Sequence, residues 1–241
     1  MSKRRALVTG GSGDIGRQVC LALAAQGLHV IVHANSGLQR AERVVADIQE
    51  AGGSAESVQF DVVDADACLA ALNTILEQGA VQVLINNAGV HDDAPMAGMS
   101  RAQWQRVIDV SLHGFFNITQ PLLLPMARTR FGRIISISSV AAVLGNRGQT
   151  NYAAAKAGLH GATRSLAREM ASRGITCNVV APGLIAGSMS DSLFSPDQIK
   201  QMIPAARAGK PEEVAALVAF LASDAAGYIN GQVIGVNGGM G

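Results

Sequence analysis

The stretch Val8-Thr9-Gly10-Gly11-Ser12-Gly13-Asp14-Ile15-Gly16-Arg17, VTGGSGDIGR, decides how the rest of the chain is read. An apolar, β-rich run, RALVTG, leads into it, and a segment of helical period, DIGRQVCLALAAQG, leads out. Within it, Gly11-x-Gly13-x-x-Gly16 has the spacing of a dinucleotide-binding turn. Glycines at that spacing let the backbone approach a pyrophosphate, and the following helix presents free N–H groups to it. Strand before and helix after place the pattern in a βαβ unit, where its meaning is strongest. The residues that would meet a dinucleotide here are Gly10, Ser12, Gly13, Asp14, Ile15 and Gly16.

Outward from this loop the same alternation continues. Apolar runs HVIVHA, SVQFDV, VQVLINN, GRIISISS, ITCNVVAPG and GQVIGVNGG are separated by helical segments such as LQRAERVVADIQEAG and ADACLAALNTILEQG. Strands apolar throughout and alternating with helices predict an α/β chain, a Rossmann-type doubly wound parallel sheet with helices on both faces. Gly27, Gly52 and Gly79 stand where a helix ends in the left-handed region. No linker or repeat interrupts the rhythm, so residues 1–241 read as one domain, with the cofactor-binding part over about 1–140. The long irregular stretch over about 183–213, directly after a strand, is read as a lid over the site.

Composition excludes several classes of function. Of 241 residues, 49% are hydrophobic and 15% charged, which supports a large core and argues against disorder. A net charge of +1 gives no basic footprint for nucleic acid. The basic MSKRR runs straight into a strand, with no apolar region of a leader peptide and no run long enough for a membrane span. Cys20, Cys68 and Cys177 are scattered without metal-ligand spacing, and read as buried small side chains in a reducing, cytoplasmic setting.

The end of the second strand carries the next signal. An acid about 20 residues beyond the glycines would accept from a ribose 2′-hydroxyl and repel a 2′-phosphate. Here the sequence reads His33-Ala34-Asn35-Ser36-Gly37, with no carboxylate before Glu42. Asn35 and Ser36 are neutral donors, which points to NADP(H) rather than NAD(H); Arg40 and His33 are candidates for added charge.

One of the chain's two tyrosines lies in Thr150-Asn151-Tyr152-Ala153-Ala154-Ala155-Lys156, TNYAAAK. Four residues apart on a helix, the phenol and the ammonium share a face. Together with the glycine loop, NNAG at 86–89, Ser139 thirteen residues before Tyr152, and APG at 181–183, this pattern resembles the short-chain dehydrogenase/reductase family over essentially the whole chain. Within that family the likeness is greatest to reductases of 3-oxoacyl groups on acyl carrier protein, through NYAAAKAG, SLAREMASRGITCNVVAPG and the C-terminal GKPEEVAALVAFLASDAAGYINGQVIGVNGG.

The resemblance implies a seven-stranded parallel sheet and a homotetramer. It implies that Asp61 and Val62 flank the adenine, that Asn87, Ala88 and Gly89 lie along the cofactor, and that Pro182, Gly183 and Ile185 contact its nicotinamide end. Ser139 would orient the substrate carbonyl and Tyr152 would donate the proton. Lys156 would bind the ribose and lower the tyrosine pKa, as a cation within about 4–6 Å does for a neighbouring acid. Arg130 and Arg173 match positions that dock the acidic carrier.

Three residues depart from the family pattern. Asp14 replaces a glycine, with capping of the helix as its expected use. Ser111 replaces an asparagine that holds a water linked to the lysine, and is the fourth candidate catalytic residue. Gly187 replaces a threonine, with Ser188 as its expected substitute. The function that follows is NADPH-dependent reduction of a 3-oxoacyl thioester in fatty-acid or related synthesis. A dehydrogenase of a small alcohol, sugar or steroid and a non-catalytic cofactor-binding module remain the alternatives.

Overall fold

Alternate residues of each central strand face opposite sides, and both sides are apolar. Ala6 and Val8, Val30 and Val32, and Val83 and Ile85 point to one core; Leu7, Ile31, Leu84 and Ile134 point to the other. A strand buried on both faces must be covered by helices on both. The structure, a computed structural model, describes residues 3–187 and 195–241.

Seven strands form one sheet: β1 Arg5–Val8, β2 His29–Ala34, β3 Ser54–Gln59, β4 Val83–Asn86, β5 Gly132–Ile137, β6 Ile175–Pro182 and β7 Val233–Val236. All pairings are parallel, in the order β3-β2-β1-β4-β5-β6-β7. The helices are α1 Asp14–Ala25, α2 Leu38–Glu50, α3 Ala65–Glu77, α4 Arg101–Ile108, α5 Gly114–Arg128, α6 Ala141–Leu144, α7 Thr150–Met170, α8 Pro196–Met202 and α9 Pro211–Ala222. Val19 and Leu23 of α1, Val44 of α2 and Val218 of α9 close the first core. Leu72 of α3, Ile118 and Leu122 of α5 and Leu166 of α7 close the second.

Gly27, Gly52 and Gly79 have φ of +85°, +80° and +124°, the positive values that end α1, α2 and α3. The third strand lies three residues earlier than the apolar run SVQFDV suggests. Ser54, Ala55 and Glu56 pair with His29, Val30 and Ile31, so register with β2 outweighs apolarity at this edge. Phe60 and Val62 are still buried, but in the turn that follows. Between α4 and α5 the helix widens into a π-turn over Asp109–His113, an arrangement that often marks functional segments.

The order of strands reverses direction between β1 and β4, because β2 and β3 lie on one side and β5 to β7 on the other. A crevice opens there at the carboxyl ends of the strands, where open α/β sheets bind ligands. No described helix is long and apolar enough to cross a membrane.

Candidate active site

The crevice has a volume of about 770 Å³. Its floor is the loop between β1 and α1, tightened by contacts that leave no room for side chains. Gly10 has φ +62°, and a Cβ on Gly16 would collide with the Gly10 carbonyl oxygen. Gly13 is the N-cap of α1 and its carbonyl accepts from Arg17 N–H at 2.8 Å. This cradle suits a diphosphate approached by backbone N–H groups.

Neighbouring strands hold the loop. The Thr9 hydroxyl accepts from Asn87 N–H at 2.9 Å and Ala88 N–H at 3.0 Å. Asn87 Nδ2 donates back to the carbonyls of Thr9 and Gly10 at 2.9 and 3.0 Å. Asn87 is thus a brace between β1 and β4 as well as a crevice residue. His33, 1% exposed, accepts Gly10 N–H on Nδ1 at 3.1 Å and donates from Nε2 to Phe60 O at 2.9 Å. Those partners define the neutral tautomer, and burial lowers the pKa. His33 therefore positions the loop and adds no charge to the site. The candidate cation that remains is Arg40, whose guanidinium folds over Gly37: a Cβ there would lie 2.8 Å from Nη2. Asn35, Ser36, Gly37 and Arg40 line the crevice together.

The opposite wall comes from β5 and α7. Ser139 follows β5, and Tyr152 and Lys156 project from the first turns of α7 into the same crevice. Lys156 is 4% exposed; its Nζ donates to Ile137 O at 2.9 Å and lies 5.7 Å from the Tyr152 ring centre. A Cβ on Gly89 would come within 3.0 Å of that nitrogen, so the chain after β4 passes close against the lysine. Burial lowers the Lys156 pKa to about 8. Behind it, Ser138 Oγ donates to Lys156 O at 3.2 Å and bonds His160 Nε2 at 2.8 Å, which ties α7 to the end of β5.

The expected lowering of the Tyr152 pKa does not hold in the protein itself. Burial raises it and Asp93 adds to the rise, while hydrogen bonding with Ser139 acts the other way. The physical reason is burial of the phenol, the largest of these effects; the lysine's ammonium meanwhile donates to Ile137 O.

The remaining predicted positions divide. Gly10, Ser12, Gly13, Asp14, Ile15, Gly16, Asp61, Val62, Ala88, Gly89, Pro182, Gly183 and Ile185 all line the crevice. Ser111 does not. It sits in the π-turn, 4% exposed, with a hydroxyl that has no protein partner, and faces a cavity of about 10 Å³ beside Thr9 and Asn86 that adjoins the crevice through Val62, Ala88 and Val110. Its neighbour Val110 lines both that cavity and the crevice. Gly13 holds the N-cap position, and Asp14 is the first helical residue, turned toward Gly187.

Arg130 and Arg173 lie together, with Arg130 Nη2 donating to Ser172 O at 3.4 Å. They immediately precede β5 and β6, at the end of the sheet away from the crevice. Of the lid, Ser188 and its neighbours to residue 194 lie outside the described residues. The base is anchored by Ala186 N–H to Gly209 O at 2.8 Å and Gly209 N–H to Leu184 O at 2.9 Å, and Met202 of α8 reaches the crevice. The far boundary is shorter than expected, since Pro211 already opens α9. Among the described residues no group of acids, histidines and cysteines is placed to hold a metal ion.

Thr9, His33, Arg40 and Ser138 were not identified as site residues by spacing. Only His33 and Arg40 carried a signal, as charge candidates near the glycines, and the two proved to have different roles.

A diphosphate cradle at the sheet's switch point, facing a half-buried phenol and hydroxyl and a buried lysine, defines an oxidoreductase that works with a nicotinamide dinucleotide. Comparison with known proteins agrees. A family model described as enoyl-(acyl carrier protein) reductase matches residues 11–241. A curated 3-oxoacyl-[acyl-carrier-protein] reductase of Staphylococcus aureus is 46% identical over 240 residues, covering 98% of each chain. Its counterpart in Synechocystis is 47% identical over 237 residues, covering 98% of this chain and 96% of the other. One from Aggregatibacter actinomycetemcomitans is 43% identical over 236 residues, covering 97% and 98%. The chain belongs to the short-chain dehydrogenase/reductase family.

Proposed function

We propose that the protein reduces a 3-oxoacyl thioester, carried by acyl carrier protein, to the 3-hydroxyacyl form with NADPH, in fatty-acid or related acyl-chain synthesis. The observation that carries this reading is the convergence of Ser139, Tyr152 and Lys156 on one crevice with the glycine cradle. The names of the full-length relatives support it.

The bound nicotinamide would supply hydride to the carbonyl carbon. Tyr152 then has the proton that the carbonyl oxygen needs, and a phenol kept protonated by burial holds it until charge develops. The Ser139 hydroxyl offers a second hydrogen bond to the same oxygen. Lys156, steadied by Ile137 O, holds the ribose side and presents its positive charge near the phenol. The mouth of the crevice includes Leu144, Met202 and Met240, with Leu144 55% and Met202 43% exposed. An apolar rim suits an acyl chain better than a sugar.

NADPH over NADH is supported by the absence of an acid at the end of β2 and by Arg40 over Gly37. The candidate contacts Asn35 and Ser36 stand beside it. Carrier docking by Arg130 and Arg173 takes a particular form. A six-residue strand spans about 20 Å, so these arginines are too far from Tyr152 of their own protomer to seat a carrier over it. They would serve the crevice of another copy in a homotetramer. Phe116 and Leu124, 62% and 71% exposed on α5, offer apolar surface for such packing. A cytoplasmic location fits three buried free cysteines.

Oxidation of NADPH with acetoacetyl carrier protein tests the reading. Rapid turnover is expected, with slower reduction of the free ketone. Reduction of small ketones or sugars alone, or no turnover with any carbonyl compound, would reject it.

A further inference from the structure

Asp14 and Gly187 are 173 positions apart by residue number, yet they touch in the fold. Gly187 has φ +151°, and a Cβ built on it would lie 2.5 Å from Asp14 Oδ2, 3.1 Å from Cγ and 3.3 Å from Cβ. No side chain at 187 fits while Asp14 holds this position. The contact joins two functional segments. Asp14 opens α1 at the diphosphate cradle, and Gly187 follows the stretch that Ala186 and Gly209 hold at the base of the lid.

The N-terminus of a helix favours one negative group, and here two would share it. A diphosphate seated on the glycine loop and a carboxylate on the first helical residue repel each other unless the carboxylate is kept aside. Gly187 supplies the space in which it is kept aside.

We propose that Asp14 and Gly187 act as one unit, in which the missing side chain at 187 lets the Asp14 carboxylate turn off the diphosphate seat and rest on the chain leaving β6. Asp14 is thereby a positioning residue that links the glycine loop to the base of the lid. The unusual acid and the unusual glycine compensate each other. This rests on the reading of the crevice as a nicotinamide dinucleotide site.

A double-mutant cycle on NADPH affinity, followed by fluorescence titration of the full chain, tests the proposal. Gly187→Ala should weaken binding by about tenfold or more, because the methyl pushes the carboxylate toward the phosphates; in an Asp14→Gly background the same change should cost less than about threefold. Raising the salt concentration should shrink the first penalty. Equal penalties in both backgrounds would mean that residue 187 acts through its own backbone, and would overturn the coupling. Asp14→Glu, which leaves Gly187 untouched, approaches from the other side: its longer carboxylate should also weaken NADPH binding, and unchanged affinity would overturn the proposal. A wild-type protein that binds no nicotinamide dinucleotide would overturn the cofactor reading itself, an outcome distinct from an additive cycle.

Discussion

Lys156 Nζ lies 5.7 Å from the centre of the Tyr152 ring, one helical turn away, but its hydrogen bond goes to Ile137 O at 2.9 Å. The ammonium is fixed by the end of β5, and the phenol, beside Ser139, faces the crevice. Removing the phenolic proton while keeping the ring should therefore isolate the chemical step. Tyr152→Phe is expected to lower kcat by about 10²–10⁴-fold, the usual size of acid catalysis, with NADPH affinity little changed. Near-normal turnover would remove Tyr152 from the mechanism.

Burial of Lys156 has a consequence for stability. Its folded pKa is lowered to about 8 from 10.5. Between those values the unfolded chain binds more protons, so the folded state gains stability as pH rises through that window. The gain is at most about 1.4 kcal/mol per pH unit for one proton. Below about pH 8 both states are protonated and the burial cost is present in full. Lys156→Met should flatten this rise in denaturant midpoints measured from pH 8 to 10, and an unchanged slope would mean that another group is responsible.

The separation of Ser111 from the crevice predicts a small effect on catalysis. Its hydroxyl has no protein partner. Ser111→Ala should leave kcat within about twofold and stability within about 0.5 kcal/mol of the parent, or slightly above it, because no protein hydrogen bond is lost. A loss of turnover with a changed pH–rate profile would restore Ser111 to the proton path.

Gly16 has no space for a methyl group against the Gly10 carbonyl. Gly16→Ala should deform the diphosphate cradle and raise KM for NADPH by more than about tenfold, with a smaller change in KM for the acyl substrate. Equal changes in both would point to a general loss of folding.

Charge reversal at Arg130 and Arg173 together should raise KM for acetoacetyl carrier protein without affecting a small ketone. If dimer or tetramer dissociation by dilution abolishes the carrier preference of the parent, the arginines of one protomer serve its neighbour's crevice. Equal effects on both substrates would exclude docking at these residues.

Much of this site could be read from spacing, because the groups concerned are local. A strand, a glycine turn and a helix within 21 residues, Arg5–Ala25, specify where a diphosphate can sit. Tyr152 and Lys156 are one turn apart on α7, and Ser139 lies just past β5, so helix geometry and strand direction bring them together. Register was less legible: β3 begins at Ser54, among polar residues, because its partner β2 selects the pairing.

The sequence by itself determined the α/β class, the cofactor loop and the Ser–Tyr–Lys set, since each follows from periodicity or short fixed spacings in one chain segment. Tertiary structure alone decided where the other charges and hydroxyls lie. It made His33 a neutral brace, set Ser111 in a small cavity adjoining the crevice, placed Arg130 and Arg173 at the opposite end of the sheet, and brought Asp14 against Gly187. Burial and long-range contact depend on what other elements bring to a residue, and no local pattern records that.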